Sequence, residues 1–192
     1  MNKKTIALTE ESYRIIIGTI RSGFTAKDGT ICKPNNRIAT ALVLEANLGL
    51  RIGDVLQLHA CDIIKDGNRY RLDITETKTG KQRTFTVPNE IYNYILQYAL
   101  DNGISSRAKL FDISERAIQK HLKLVCEVLN LDNIGTHSFR KYFATSIYTD
   151  NGYNIELVRQ LLQHSSTAIT QRYLGIQPKE VEDALQKHIQ LI

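Results

Sequence analysis

Residues 61–88 have the sequence CDIIKDGNRYRLDITETKTGKQRTFTVP, and they carry the clearest strand pattern of the chain. Asp66-Gly67 is a strong signal for a tight hairpin turn. Apolar side chains alternate with polar ones after this turn, as in a half-buried strand; they are Tyr70, Leu72 and Ile74. A further strand, 83–87, is stopped by Pro88, which cannot donate to a ladder. We therefore expect a small three-stranded antiparallel sheet here.

Helical periodicity surrounds this sheet. The segment Arg37–Leu48 leaves little polar face, so its helix should be buried. A helix start is expected at Thr9, and 23–36, rich in Gly, Asp, Thr and Pro, is expected to be a loop. Apolar stripes at helical spacing predict further helices after the sheet, the last of them starting at Pro178. These patterns predict a mixed α+β fold, mostly α-helical, in one domain, 1–192.

The composition limits the classes of function. A chain of 192 residues with 42% hydrophobic residues can bury one sizeable core. Its formal charge of +5 favours a polyanionic partner, although only modestly. Cys32, Cys61 and Cys126 fit neither a disulfide framework nor a zinc site, so a reducing cytoplasm is expected. No uncharged stretch is long enough to span a bilayer, so secretion and membrane insertion are not expected.

Four short clusters hold the residues with candidate chemistry. They are GLRIGD at 49–54, TKTGK at 77–81, HSFR at 137–140, and LQHSS at 162–166 followed by TQRY at 170–173. Taken singly, each has an ordinary explanation, because arginines and lysines form surface ion pairs and most tyrosines are packing residues. His137 and Arg140 are three apart at a predicted helix start, so both can face one anion bound there.

The order and spacing of these clusters resemble the catalytic domain of the tyrosine recombinases, the phage integrase family. The resemblance runs from about Thr9 to the closing helix, implies that domain's fold, and matches all six catalytic positions in residue type. It implies that Asp54 orients the first arginine of the family's pair. It also implies the catalytic roles. Arg51 and Arg140 would clamp the phosphate, and His164 would donate a hydrogen bond to it. Lys78 would be the general acid, His137 the general base and Tyr173 the nucleophile.

These residue types suit the cleavage of a phosphodiester by a tyrosine. A phenol with a pKa of about 10 is almost fully protonated at pH 7, and ionising it there costs about 4 kcal/mol. Guanidinium groups offset that cost and stabilise the added charge of a pentavalent phosphate. Because cations of the chain supply this charge, and the sequence offers no cluster of carboxylates, we expect no metal and no other cofactor. A covalent phosphotyrosine conserves the bond energy, so rejoining should need no ATP.

The family resemblance also implies the partners. Double-stranded DNA is the expected substrate, cleaved to a 3′-phosphotyrosyl intermediate and a 5′-hydroxyl. Family members commonly pass a C-terminal helix to a neighbour in a tetramer on DNA, so 178–192 either has this role or packs on its own core. A monomer or weak oligomer is expected without DNA, and accessory DNA-bending proteins are further partners the family implies.

Since the resemblance to the catalytic domain starts within ten residues of Met1, we expect no counterpart of the family's N-terminal core-binding domain in this sequence. Either the chain is an excised fragment or it is a naturally short recombinase. If that domain normally completes a clamp around DNA, this chain alone should bind DNA weakly and with steep salt dependence.

Three alternative functions remain open at this stage. A type IB topoisomerase-like enzyme would share the chemistry and relax supercoils, but the short chain and the context of His164 argue against it. A non-catalytic DNA-binding regulator would have lost catalytic residues, whereas all six positions hold suitable ones. A helical interaction module with chance matches would form no covalent adduct with DNA.

Overall fold

The computed structural model describes residues 5–176, so the predicted closing helix at 178–192 lies outside it. The helices in this range are α1 Glu10–Ser22, α2 Asn36–Leu48, α3 Ile52–Val55, α4 Asn89–Asp101, α5 Glu115–Val128, α6 Thr136–Asp150, α7 Ile155–Leu162 and α8 Thr167–Leu174. The strands are β1 Phe24–Thr25, β2 Ile31–Cys32, β3 Ile63–Asp66, β4 Arg69–Thr75 and β5 Gln82–Val87. The predicted mixed α+β class, mostly helical, is confirmed.

The predicted three-stranded antiparallel sheet is also confirmed, in the order β3-β4-β5. Leu72 in the central strand pairs with Ile63 on one side and Phe85 on the other. Gly67 in the first turn has a φ of +62°, a conformation that glycine adopts without steric cost. β5 ends at Val87, directly before Pro88. The turn between β4 and β5 carries the lysine-containing cluster 77–81.

The sequence predicted that 23–36 is a loop. This is wrong in part, because the segment contains a small hairpin. β1 pairs with β2 in antiparallel fashion, Phe24 opposite Cys32. The turn between them is closed by hydrogen bonds from the Ala26 N–H to the Thr30 carbonyl and from the Gly29 N–H to the Ala26 carbonyl, of 2.8 and 2.9 Å. Strands of two residues are too short to show alternation in sequence.

Helix α2 is buried in the core, and other helices pack around it. α1 packs on α2 and on α5, while α4 packs on α2 and on β4. The predicted start of α1 is correct, because the Thr9 side chain accepts a hydrogen bond from the Ser12 N–H in a capping box. Gly49 ends α2 with a φ of +58°, and a Cβ at this position would run into the ring of Phe143. Only glycine fits here, and Arg51 follows two residues later.

The described residues fall into two compact units, one ending at Phe143 and the other beginning at Ala144. The first unit holds the core and both sheets. The second holds the end of α6 with α7 and α8, which pack against each other. Asn154 and Ser166 cap the starts of α7 and α8. The prediction of a single catalytic domain over 1–192 stays a prediction.

Among residues 5–176, none of the helices has both the length and the apolar character that crossing a membrane requires.

Candidate active site

Arg51 lies at the corner between α2 and α3, where it is the N-cap residue of α3. Its Nη1 donates a hydrogen bond of 2.5 Å to Oε2 of Glu76, which follows β4 and is only 1% exposed. The Arg51 side chain itself keeps 28% of its surface exposed. Nη1 lies 3.9 Å from Oδ2 of Asp54, beyond hydrogen-bonding distance. Glu76, which the sequence analysis did not select, therefore makes the close contact with Arg51.

Asp54 is buried and holds the strand end that leads to the predicted general acid. Its Oδ1 accepts a hydrogen bond of 2.9 Å from the Thr77 N–H. This bond ties α3 to the residue directly before Lys78. The predicted role of Asp54 in orienting Arg51 stays a prediction, and the anchoring of Thr77 is an additional structural contact.

Lys78 lies in the exposed turn between β4 and β5. Two main-chain hydrogen bonds close this turn, from the Glu76 N–H to the Lys81 carbonyl and from the Gly80 N–H to the Glu76 carbonyl, of 2.9 and 2.8 Å. The Thr79 hydroxyl donates to Oε2 of Glu76 at 2.8 Å. The turn is therefore fixed at its base while the lysine side chain projects from its exposed part.

A second arginine, Arg83 in β5, is buried and braces the end of α2. Its guanidinium donates to the carbonyls of Gly49 and Leu48 at 3.0 and 3.2 Å, and Nη1 lies 3.5 Å from Oε1 of Glu76. Burial and the charge of Arg140 lower the pKa of Arg83, while Glu76 opposes both, and the net result is a pKa of about 10. Arg83 is therefore still charged at pH 7.

The first turn of α6 carries His137, which is exposed, and Arg140, which is 1% exposed. The pKa of His137 is lowered to about 4 by partial desolvation together with four positive charges; these belong to Arg140, Lys141, Arg51 and Lys78. Because the His137 side chain is exposed to solvent, we attribute its lowered pKa mainly to the surrounding positive charges. His137 is neutral at pH 7, and the charges around it show that three clusters converge.

A cleft of about 570 Å³ lies where these clusters meet in the first unit. Three predicted catalytic residues line it: Arg51, Lys78 and His137. Arg140 lies within electrostatic range of His137 and Glu76. The structure thus brings four of the six predicted residues together from separate parts of the chain, and their catalytic roles stay predictions. Across residues 5–176 no group of three or more His, Cys, Asp or Glu side chains could hold a metal ion.

Glu45 in α2 is a buried carboxyl in the wall of this cleft. It is 1% exposed, and its Oε2 has no hydrogen-bond partner among the described residues. Burial raises the pKa of Glu45 well above its ordinary value, although the charge of Arg140 opposes that rise. A raised pKa in the folded state means that stability is present below pH 4.5 and is lost as the pH rises through the folded-state value.

We expect Glu45→Gln to raise the free energy of unfolding at pH 8 and to leave it nearly unchanged at pH 4. The gain is about 1.4 kcal/mol for each unit by which the pKa is raised. Urea unfolding at both pH values measures it, with the exposed Glu127→Gln as the matched control, expected to change stability by no more than about 0.5 kcal/mol. A variant less stable than wild type at pH 8 would show that Glu45 is ionised and paired.

The second unit brings the other two predicted residues together. The rings of His164 and Tyr173 are 5.2 Å apart between centroids, in an edge-to-face arrangement. His164 Nδ1 lies 3.0 Å from the Thr170 hydroxyl, and Arg159 donates to the His164 carbonyl at 2.9 Å. Tyr173 is the second-last residue of α8. The histidine ring is thus fixed by its own unit, beside the tyrosine.

The model of the phage integrase family matches residues 8–180. The chain belongs to the phage integrase family. The probable integrase/recombinase YoeC of Bacillus subtilis is 31% identical over 150 residues, covering 74% of this chain and 79% of that relative. The tyrosine recombinase XerA of Pyrococcus furiosus is 26% identical over 191 residues, covering 94% of this chain and 61% of that relative. The resemblance to tyrosine recombinases is confirmed.

Solved structures confirm the predicted catalytic-domain fold of this integrase-family chain. The catalytic domain of bacteriophage HP1 integrase superposes with a TM-score of 0.63 at 20% identity, covering 96% of both chains. The XerH recombinase bound to its difH substrate gives 0.68 at 17% identity and covers 96% of this chain but 54% of the other. The chain thus spans nearly all of the isolated HP1 catalytic domain, but only 61% of XerA and 54% of the XerH chain.

Proposed function

We propose that this chain is the catalytic domain of a site-specific DNA recombinase that cleaves and rejoins strands through Tyr173. The observation that carries the proposal is the cleft in which Arg51, Lys78 and His137 meet beside Arg140. These are the residue types that phosphoryl transfer without a metal requires, and membership of the integrase family supports the same reaction.

Tyr173 attacks the scissile phosphate in the proposed reaction. Its phenol oxygen bonds to phosphorus, the bond from phosphorus to the 5′ oxygen breaks, and a 3′-phosphotyrosyl linkage results. Arg51 and Arg140 grip the non-bridging oxygens and stabilise the charge that develops there. His164, held by the Thr170 hydroxyl, donates a hydrogen bond to the same phosphate. The reverse attack by a DNA hydroxyl restores the phosphodiester without ATP.

Proton transfers in this scheme belong to His137 and Lys78. His137 is neutral at pH 7 because its pKa is lowered to about 4, so it is able to accept the phenol proton. At that pKa it would be a weak base, but a bound phosphate anion offsets the surrounding positive charge and raises the pKa. Lys78, on its exposed turn, protonates the departing 5′ oxygen as general acid.

The proposed partner is double-stranded DNA. The formal charge of +5 favours a polyanion, and XerH, a structural neighbour, is described bound to its difH substrate. Assembly into a tetramer on DNA through 178–192 belongs to the same proposal and is supported by the family resemblance alone. A chain of this kind would contact mainly phosphates, so its affinity should fall steeply with salt.

A suicide substrate tests this function. Wild-type protein is incubated with nicked duplexes of varied sequence, from which the short leaving strand diffuses away after cleavage. We expect an SDS-resistant protein–DNA adduct whose DNA-linked peptide, identified by mass spectrometry, contains Tyr173. Relaxation of supercoiled plasmid without strand exchange would favour a topoisomerase-like enzyme. Binding without an adduct would favour a non-catalytic regulator.

Chelation should leave the covalent step unchanged. Because the charge of the phosphate is met by arginine and lysine side chains, we expect the rate of adduct formation in excess EDTA to stay within about twofold of the rate in magnesium. Quenched time courses on the same nicked substrate measure this. A strict requirement for Mg²⁺ would contradict the proposed mechanism.

A further inference from the structure

Glu76 is a buried carboxylate in contact with Arg51, and it belongs to none of the six catalytic positions. Its Oε2 accepts hydrogen bonds from Arg51 Nη1 at 2.5 Å and from the Thr79 hydroxyl at 2.8 Å. Its Oε1 lies 3.5 Å from Nη1 of Arg83. One side chain thus connects a proposed phosphate clamp, the turn that carries Lys78 and the arginine that braces α2.

Glu76 is ionised in this setting. Burial alone would raise its pKa, but the hydrogen bonds from Arg51 and Thr79, with the charges of Arg51 and Arg140, outweigh burial and hold the pKa below its ordinary value. A buried charge of this kind is retained only where its partners are fixed around it. Glu76 holds the Arg51 guanidinium at Nη1, while 28% of the Arg51 side chain remains exposed to solvent.

We propose that Glu76 is a positioning residue that holds the Arg51 guanidinium in the geometry needed to bind the scissile phosphate. The inference rests on the proposed function. A free arginine side chain has many rotamers, and binding would have to order it. Glu76 orders it beforehand, so that the field of Arg51 is already directed into the cleft when DNA arrives.

The carboxylate acts on Arg51 more than on Lys78. The turn around Lys78 is closed by main-chain hydrogen bonds, which a change of side chain at position 76 leaves in place. A glutamine at this position could still accept from Thr79, but it would lose the charged pairing with Arg51. The two routes can therefore be separated by experiment.

Adduct formation by Glu76→Gln tests the inference. On an ordinary nicked duplex we expect the rate at saturating DNA to fall by about 10- to 100-fold, as is usual when a residue that orients a ligand-binding group is lost. On a duplex with sulfur in place of the 5′ bridging oxygen, the leaving group needs no proton, so Lys78→Ala should be rescued while Glu76→Gln is not. A rate within twofold of wild type, or rescue equal to that of Lys78→Ala, would overturn the inference.

Glu76→Asp keeps the buried negative charge opposite Arg83 and serves if the glutamine variant does not fold. Its side chain is one methylene shorter, which draws the carboxylate away from Arg51. We expect wild-type circular dichroism and a rate reduced in the same range of about 10- to 100-fold. An unchanged rate in this folded variant would equally refute a positioning role.

Guanidinium NMR of the DNA-free protein separates this inference from the proposed function. Rotation of the Arg51 side chain should be slow in wild type and fast in Glu76→Gln, with the exposed Arg107 as the freely rotating reference. Absence of an adduct with wild type would defeat the proposed function and leave this measurement valid. Equal mobility of Arg51 and Arg107 in wild type would defeat the inference, whatever the adduct assay shows.

Discussion

Tyr173→Phe is expected to abolish adduct formation with DNA, because phenylalanine has no oxygen that could bond to phosphorus. We expect the SDS-resistant band to vanish completely while the fold and DNA binding persist. Tyr173 is partly buried beside the His164 ring, and phenylalanine preserves that edge-to-face contact. The change is therefore confined to the loss of the hydroxyl. Gel assays of the adduct, paired with circular dichroism and a DNA-binding isotherm, make the measurement.

The matched control for this variant is Tyr153→Phe. Tyr153 lies in the same unit and is 66% exposed. Its ring packs edge-to-face on that of Tyr148. We expect its adduct rate to equal that of wild type. Persistence of the covalent band in Tyr173→Phe would show that another residue is the nucleophile and would contradict the proposed mechanism.

Arg140→Ala should lower the rate of adduct formation by about 10²- to 10³-fold, the usual cost of removing one group that stabilises a developing anion. Arg140 is 1% exposed and its charge reaches His137, Glu76 and Glu45, so its loss also changes the field of the whole cleft. Rapid-quench kinetics at saturating DNA, well below the melting temperature of the variant, measure the effect on the chemical step.

Two further variants serve as comparisons for Arg140→Ala. Arg140→Lys keeps the charge but loses the planar fork, so we expect a rate between those of wild type and Arg140→Ala. Arg14→Ala removes one exposed arginine from α1 and should leave the rate unchanged. A loss in Arg140→Ala that disappears at higher DNA concentration would assign Arg140 to binding alone.

Much of the fold and site could be predicted from the sequence, because chemistry and periodicity were both visible. Arg51, His137 and Arg140 stand in compact motifs whose residue types suit phosphate binding, and the structure gathers them with Lys78 around one cleft. The sheet could be predicted because polar and apolar residues alternate along the seven residues of β4. Likewise, the apolar run of α2 required burial on several faces.

The supporting carboxylates were missed because burial of a charge depends on partners that come from elsewhere in the chain. Glu76 continues the inward alternation of Leu72 and Ile74, and Glu45 is the lone carboxylate of an apolar helix. Both positions were signals that a charged side chain points inwards. Neither position reveals which arginine lies beside the carboxylate, since Arg51, Arg83 and Arg140 belong to other parts of the chain.

The hairpin in 23–36 shows a different limit. Asp28-Gly29 is the same kind of turn signal as the dipeptide that predicted the larger hairpin, and Gly29 has a φ of +83°. The signal was present, but the two-residue strands beside it bury too little surface to create an alternating pattern. Short strands of this kind are set by their turn rather than by their side chains.

Arg51, Glu76 and Arg83 are all made well before the proposed nucleophile during synthesis of the chain. A ribosome adds about 5–20 residues per second, so Arg51 emerges several seconds before α6 delivers Arg140, and Tyr173 comes later still. Until then, the nascent chain holds Arg51, Glu76 and Arg83 but lacks Arg140 and Tyr173. If the proposed mechanism holds, a translation product that stops before Tyr173 is unable to form the covalent adduct with DNA.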